Sequence, residues 1–269
     1  MSPKLKFFLK TVLPEPIRRL IKTLRRYKTH LWRREDLFPI FSFLAGHIPK
    51  VSLIDKMRIV KKLYVISSSI HSPHTQAEML SFIRTILSLP PEIDGVIVEA
   101  GCFKGGSTAK FSLAADIAQR TLVVFDSFEG IPDNDEPHDK TIFGGQTGFK
   151  KGDYCGSLEE VKRNVVLFGK VSCCRFIKGW FDETMPGFKE SIAAVYLDVD
   201  LALSTRTCLK YLYPLLREGG VLYSQDGHLP LVLDVFKNDE FWLKDVGFRK
   251  PTIHGFGRKK LIWTVKERS

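Results

Sequence analysis

Two acidic clusters and a histidine are the groups in this chain best suited to chemistry. Leu197-Asp198-Val199-Asp200-Leu201 follows the apolar run Ala194–Leu197, and Gln225-Asp226-Gly227-His228 follows Val221–Tyr223. Both runs read as strands. As neighbouring parallel strands they would bring Asp198, Asp200 and Asp226 to one edge of a cleft. Carboxylate oxygens gathered without thiolates suit a hard divalent ion such as Mg²⁺. Alternatively, one acid acts as a general base while the other orients a neighbour. A purely structural role competes, because acids after strands often cap helices; here Ser204 and Thr205 can cap the next helix themselves. His228 is either a base or a hydrogen-bonded loop residue.

A second set lies earlier in the chain. The strand Val96–Val98 runs into Glu99, then Gly101, Gly105, Gly106 and Ser107. Glycines here let the backbone turn sharply and approach a ligand before a helix begins. The spacing is G-x-x-x-G-G, neither the G-x-G-x-x-G of dinucleotide enzymes nor a phosphate loop with its lysine. The strand Leu122–Phe125 ends in Asp126, where an acid is placed to accept both hydroxyls of a ribose. Together the two strand ends favour a nucleoside ligand. It need not carry phosphate, since Lys104 is the only base in the turn.

Positioning these residues requires alternating strands and helices. Residues 51–90 read as helices, with Met57, Val60, Leu63 and Tyr64 recurring helically and Pro90-Pro91 as the stop. Helices follow at Ser107–Gln119, Leu158–Phe168, Thr205–Leu216 and Leu231–Phe241, with strands at Cys173–Ile177 and Leu261–Val265. Such alternation implies crossover connections and a mostly parallel sheet covered on both faces, with ligands beyond the carboxyl ends of the strands. The polar loop 133–156 is long enough to fold over a ligand as a lid.

Composition agrees with a globular protein of 269 residues, 44% hydrophobic and 26% charged. No run of 18 apolar residues spans a bilayer. The five cysteines show no zinc or C-x-x-C spacing, and Cys173 and Cys174 are expected on opposite sides of a strand. A reducing, cytoplasmic compartment is the expectation. The net charge of +11 is uneven: residues 1–34 hold eleven Lys or Arg against Glu15, and the remainder is close to neutral. The cations therefore say nothing of a nucleic-acid groove in the body, and no nucleic-acid partner is expected. Ile17, Leu20, Ile21, Leu24 and Tyr27 fall on one helical face among these cations. The segment reads either as a peripheral contact with an anionic membrane or as an arm docked on its own domain or on a second subunit of a homo-oligomer. The division is a basic segment at 1–45 and a main domain at 46–269, with a helical lead-in at 46–92.

The motifs taken together resemble the macrocin O-methyltransferase family, S-adenosylmethionine-dependent enzymes that methylate sugar hydroxyls of macrolides and related natural products. The resemblance spans roughly residues 75–227. It rests on V-E-A-G with Gly105-Gly106, on D-S-F-E-G-I-P at 126–132 and on K-G-W-F-D-E-T-M-P at 178–186. L-D-V-D-L before Ser204-Thr205 and Y-P-L-L-R-E-G-G at 213–220 complete it.

The resemblance implies an α/β class I methyltransferase fold, Rossmann-like, with a seven-stranded sheet, an antiparallel last strand and a helical N-terminal extension. It implies S-adenosylmethionine bound by Glu99, Gly101, Cys102, Phe103, Gly106 and Ser107, by Asp126, Ser127 and Phe128, and by Gly179, Trp180 and Phe181. It further implies a small hydroxylated acceptor, and Mg²⁺ on Asp198, Gln225 and Asp226, with Asp198 as base and His228 as its alternate. The family usually carries Asp-Asp-Tyr where this chain has Gln225-Asp226-Gly227, which lowers the negative charge of the metal site. Other readings share the cofactor half: methylation of RNA, a protein or a membrane-linked glycan, or S-adenosylmethionine binding without catalysis.

Overall fold

The computed structural model describes residues 34–267; the amphipathic pattern at 17–27 lies outside them. Three helices lead in: α1 (Arg34–Ala45), α2 (Leu53–Ser69) and α3 (Gln76–Ser88). The last two start at capping boxes, Ser52 with Asp55 and Thr75 with Glu78, which satisfy the free N–H groups of the first turns. Strands β1 (Val96–Ala100), β2 (Leu122–Asp126), β3 (Cys174–Lys178), β4 (Ile192–Leu197) and β5 (Leu216–Ser224) then alternate with helices α4 (Gly106–Ile117), α5 (Leu158–Phe168), the short α6 (Phe181–Thr184) and α7 (Ala202–Leu212). Helix α8 (Pro230–Lys237) and strand β6 (Ile262–Val265) follow.

The sheet order is β3-β2-β1-β4-β5-β6, parallel except for β6, which pairs antiparallel to β5. Its two faces bury different residues, alternating along each strand except at Ala193-Ala194, where the register of β4 shifts. Ile97, Leu122, Val124, Ala194 and Tyr196 join the core under α2–α5, with Phe82 and Phe111. Val98, Val123, Phe125, Val195 and Leu197 join the core on the other side, with Leu209, Phe236 and Trp242. A strand covered on both faces reads as a continuous apolar run, which is why β1, β2 and β4 stand out in the sequence.

Four expectations are corrected. The described sheet has six strands rather than seven. Beside β6, where another strand would pair, the chain makes a single bridge at His254 with Trp263. Pro251 lies just before it and has no N–H to extend a ladder. Cys173 belongs to a 3-10 turn at Val171–Cys173, and both its thiol and that of Cys174 reach the Lys170 carbonyl, so the pair does not straddle the sheet. The pattern at Leu231–Phe241 breaks at Asn238, whose Oδ1 accepts from the Phe241 N–H and opens a fresh turn. On α2 the inward positions are Ile59, Leu63 and Ile66, whereas Met57 is exposed.

Candidate active site

Register alone brings the singled-out residues to one edge. Ala100 pairs with Phe125 on one side and Leu197 on the other, and Leu197 pairs with Ser224. The residues that follow, Gly101, Asp126, Asp198 and Gln225, therefore emerge side by side. Gly101, Asp126 and Asp198 border a cavity of about 810 Å³, and Gln225 is buried beside it.

At the β1–β2 end the backbone is closely fitted. Gly101 has φ +82°, and a Cβ there would meet the Asp198 carbonyl oxygen at 2.0 Å. Gly105 adopts φ +75° as it starts α4. Both positions need glycine for conformation, and the first needs it for space as well. The Asp126 carboxylate accepts from the backbone N–H groups of Cys102 and Phe128, each at 2.7 Å. Burial raises its pKa and these two bonds oppose the rise. Two acceptor bonds leave further lone pairs on a group that borders the cavity.

Cys102, Phe103, Gly106, Ser107, Ser127, Gly179, Trp180 and Phe181 line the cavity as well. Glu99 and Phe128 stand behind it. Glu99 is fully buried with neither carboxyl oxygen hydrogen-bonded; burial pushes its pKa up to about 8, partly offset by the nearby Ser107 and Thr108 hydroxyls. Phe128 packs into the core beneath.

At the β4–β5 end, Asp198, Asp200 and Asp226 each offer a carboxylate oxygen within 4.8 Å of the others. Gln225 does not join them. Its Oε1 accepts from the Tyr196 hydroxyl at 2.8 Å, so Asp200 takes the third place assigned from the family pattern to Gln225. Asp226 Oδ2 accepts from the Val199 and Asp200 N–H groups, while Oδ1 is buried without a partner. Burial, reinforced by Asp198, raises the Asp226 pKa to about 7. Burial and the neighbouring Asp226 push Asp200 well above the carboxylate range. A crowded, partly protonated carboxylate set with an orphaned oxygen is a donor set that a hard cation would satisfy.

His74, from the link between α2 and α3, was not singled out in the sequence, where one histidine before a helix carries no signal. Its Nε2 lies 2.8 Å from Asp198 Oδ2, and its Nδ1 3.0 Å from Ser72 Oγ. A carboxylate only accepts, so Nε2 carries the proton and Nδ1 accepts from the serine. Burial opposes ionisation of Asp198, but the hydrogen bond from His74 and the charge of Lys260 help to hold the pKa below the usual value. His228 lines the cavity with a buried, unpartnered Nδ1; burial and Lys260 hold its pKa down to about 4. Lys260, also unforeseen, lies just before β6 and lines the same wall.

The long loop closes one side. Thr147, Phe149, Lys151, Gly152 and Tyr154 face the cavity. Its root is fastened at Glu136, whose carboxylate accepts from the Ala202 and Leu203 N–H groups and from His138. Glu136 thus caps α7, the role expected of Ser204 and Thr205. Farther along, Ile142 N–H donates to the His228 carbonyl.

The family described as macrocin-O-methyltransferase (TylF) matches residues 77–238. Mycinamicin III 3''-O-methyltransferase of Micromonospora griseorubida is 34% identical over 146 residues, 51% of this chain and 57% of that protein. Demethyldecarbamoylnovobiocin O-methyltransferase of Streptomyces niveus is 33% identical over 146 residues, 50% of this chain and 53% of that one. The chain thus spans little more than half the length of these curated relatives. Among solved structures, the O-methyltransferase NovP shares the fold, with a TM-score of 0.60 at 24% identity over 87% of this chain and 99% of the other.

Proposed function

The chain belongs to the macrocin O-methyltransferase family, and from that premise we propose that it transfers a methyl group from S-adenosylmethionine to a hydroxyl of a sugar or other small natural-product acceptor. The observation that carries this reading is one cavity with a nucleoside-type end, Asp126 beside the glycine turn, and a proton-accepting end, Asp198 held by His74. By their names the relatives methylate an oxygen of mycinamicin III and of demethyldecarbamoylnovobiocin, which supports a small-molecule acceptor.

S-adenosylmethionine supplies a methyl on a positively charged sulfur, and the bonding pair stays on that sulfur when the acceptor oxygen takes the methyl. The remaining work falls to the chain. Asp126 holds ribose hydroxyls, and Trp180 and Phe181 border the adenine end. Gly101 keeps side-chain bulk out of the space between the two ends. Asp198 accepts the hydroxyl proton at Oδ1, since Oδ2 is occupied by His74, and a fixed orientation saves ordering cost in the transition state. His228, held neutral, accepts a hydrogen bond from the acceptor. Asp198, Asp200 and Asp226 would hold a Mg²⁺ ion, whose chemistry there is to stabilise developing negative charge on oxygen.

Calorimetric titration with S-adenosylmethionine, followed by a screen of glycosides and nucleotide sugars with labelled cofactor, tests the reading. Absence of cofactor binding by folded protein would overturn all of it. Binding without transfer to any hydroxylated acceptor would overturn the catalytic part.

A further inference from the structure

Helices α1 and α2 turn large apolar side chains to solvent, and none of them lines the active-site cavity. Leu37, Phe38 and Phe41 are 61%, 78% and 69% exposed; Leu53, Ile54 and Met57 are 56%, 60% and 56% exposed. Each triplet is spaced i, i+1, i+4, which places it on one side of its helix. The two helices adjoin, because Lys56 Nζ donates to the Leu44 carbonyl at 3.2 Å and to that of Gly46, drawing the first turns of α2 against the end of α1. Single exposed apolar residues are ordinary, but such a grouping on consecutive helices marks an interaction surface.

The charge around this surface narrows the partner. Within residues 34–62 the bases are Arg34, Lys50, Lys56, Arg58, Lys61 and Lys62, against Glu35, Asp36 and Asp55. Asp36 is buried and accepts from the Ala77 N–H, and Asp55 is occupied with Ser52 and Arg58. Residues 1–33, directly before α1, add ten bases and one acid. The partner must therefore accept hydrocarbon and dense positive charge together. A second copy of the chain meets the first demand and fails the second, since it brings cations of its own where the partner must supply anions.

We propose that the exposed face of α1 and α2 is a docking surface for an anionic lipid bilayer. Leu37, Phe38, Phe41, Leu53, Ile54 and Met57 enter the headgroup boundary, and the cations meet lipid phosphate and carboxylate. Arg58, Lys61 and Lys62 can lay their aliphatic stems along that boundary and keep their charges in water. No described helix is long and apolar enough to cross a membrane, so the contact is peripheral in kind.

The test uses full-length protein and vesicles of phosphatidylcholine alone or mixed with phosphatidylserine, at low and at raised salt. Wild type should sediment with the phosphatidylserine vesicles and come off as salt rises. The variant Phe38→Ser/Phe41→Ser/Ile54→Ser/Met57→Ser should partition at least about tenfold more weakly while keeping its thermal midpoint and S-adenosylmethionine affinity. The two constituent double variants should each lose part of the binding, and they decide the matter if the fourfold variant is unfolded. Equal partitioning of wild type and folded variants overturns the proposal, as does a wild type that ignores phosphatidylserine. A wild-type oligomer that the variants convert to monomer, without vesicle binding, would assign the face to a second copy instead.

Discussion

The two ends of the cavity are built on different terms. At the β1–β2 end, Asp126 is held by two backbone N–H groups, and Gly101 and Gly105 set the turn from β1 into α4, so the shape exists before any ligand arrives. At the β4–β5 end, Asp226 Oδ1, Gln225 Nε2 and His228 Nδ1 are buried without partners, and three carboxylates crowd together. Buried polar atoms without partners are costly. The first end is thus a finished mould, and the second is a site whose electrostatics are completed by what binds. Substitutions at the first should act on cofactor affinity, and substitutions at the second on turnover.

The sharpest break of that comparison is Asp198→Asn. The amide keeps the size of the side chain but cannot take the acceptor proton. Turnover should fall by roughly 10³-fold, within the range general-base removal commands. Calorimetric affinity for S-adenosylmethionine should stay within about twofold, because the residue serves the other end. A comparable loss in affinity would show that the two ends are not separable. Next in size is Asp126→Ala. Each hydrogen bond to a charged acceptor contributes about 1.5–3 kcal/mol, so cofactor affinity should weaken at least tenfold. Unchanged affinity in a protein with an unaltered thermal midpoint would remove the ribose assignment.

The difference between the ends also explains what the sequence disclosed. Gly101 and Asp126 stand at the ends of their strands, so strand patterning plus local chemistry brings them to the cavity, while Trp180 is pointed to by the family resemblance. The carboxylates were equally legible, being the next residues after β4 and β5. What could not be read was side-chain aim. Gln225 and Asp226 are adjacent, yet one turns to Tyr196 and the other to the Val199 and Asp200 backbone. Glu99 seemed to face the ligand and instead sits behind the turn. His74 and Lys260 enter from 124 residues before Asp198 and from just ahead of β6, a meeting made only by tertiary packing. The seventh strand is implied only by the resemblance, and among the described residues a bridge at His254 stands in its place.

His74 gives a finer test of the second end. His74→Phe keeps a ring and removes the donor to Asp198, and should lower kcat about tenfold with little change in KM or cofactor affinity. His74→Gln, which restores an N–H donor, should recover much of that loss. Failure of the glutamine variant to differ from the phenylalanine variant would reduce the histidine to packing.

The smallest effect on turnover or binding is expected at Glu99, which stands behind the finished end with both carboxyl oxygens unpartnered. Its folded pKa is about 8 against an ordinary 4.5. Between those values the unfolded chain has lost the proton that the folded protein keeps. The folded state binds more protons there, so stability falls as pH rises from about 4.5 to about 8. Glu99→Gln removes this titration and keeps the shape, with Ser107 and Thr108 hydroxyls near enough to receive the amide. Without ligand, the variant should gain on wild type by on the order of several kcal/mol between pH 4.5 and pH 8, because the cost of an imperfectly bonded amide is the same at both pH values and cancels from that gain. Other titrating groups are common to both proteins and cancel in the difference. Thermal or urea unfolding at the two pH values measures it, and parallel stability curves would mean that Glu99 is ionised in the folded protein and has a partner at neutral pH.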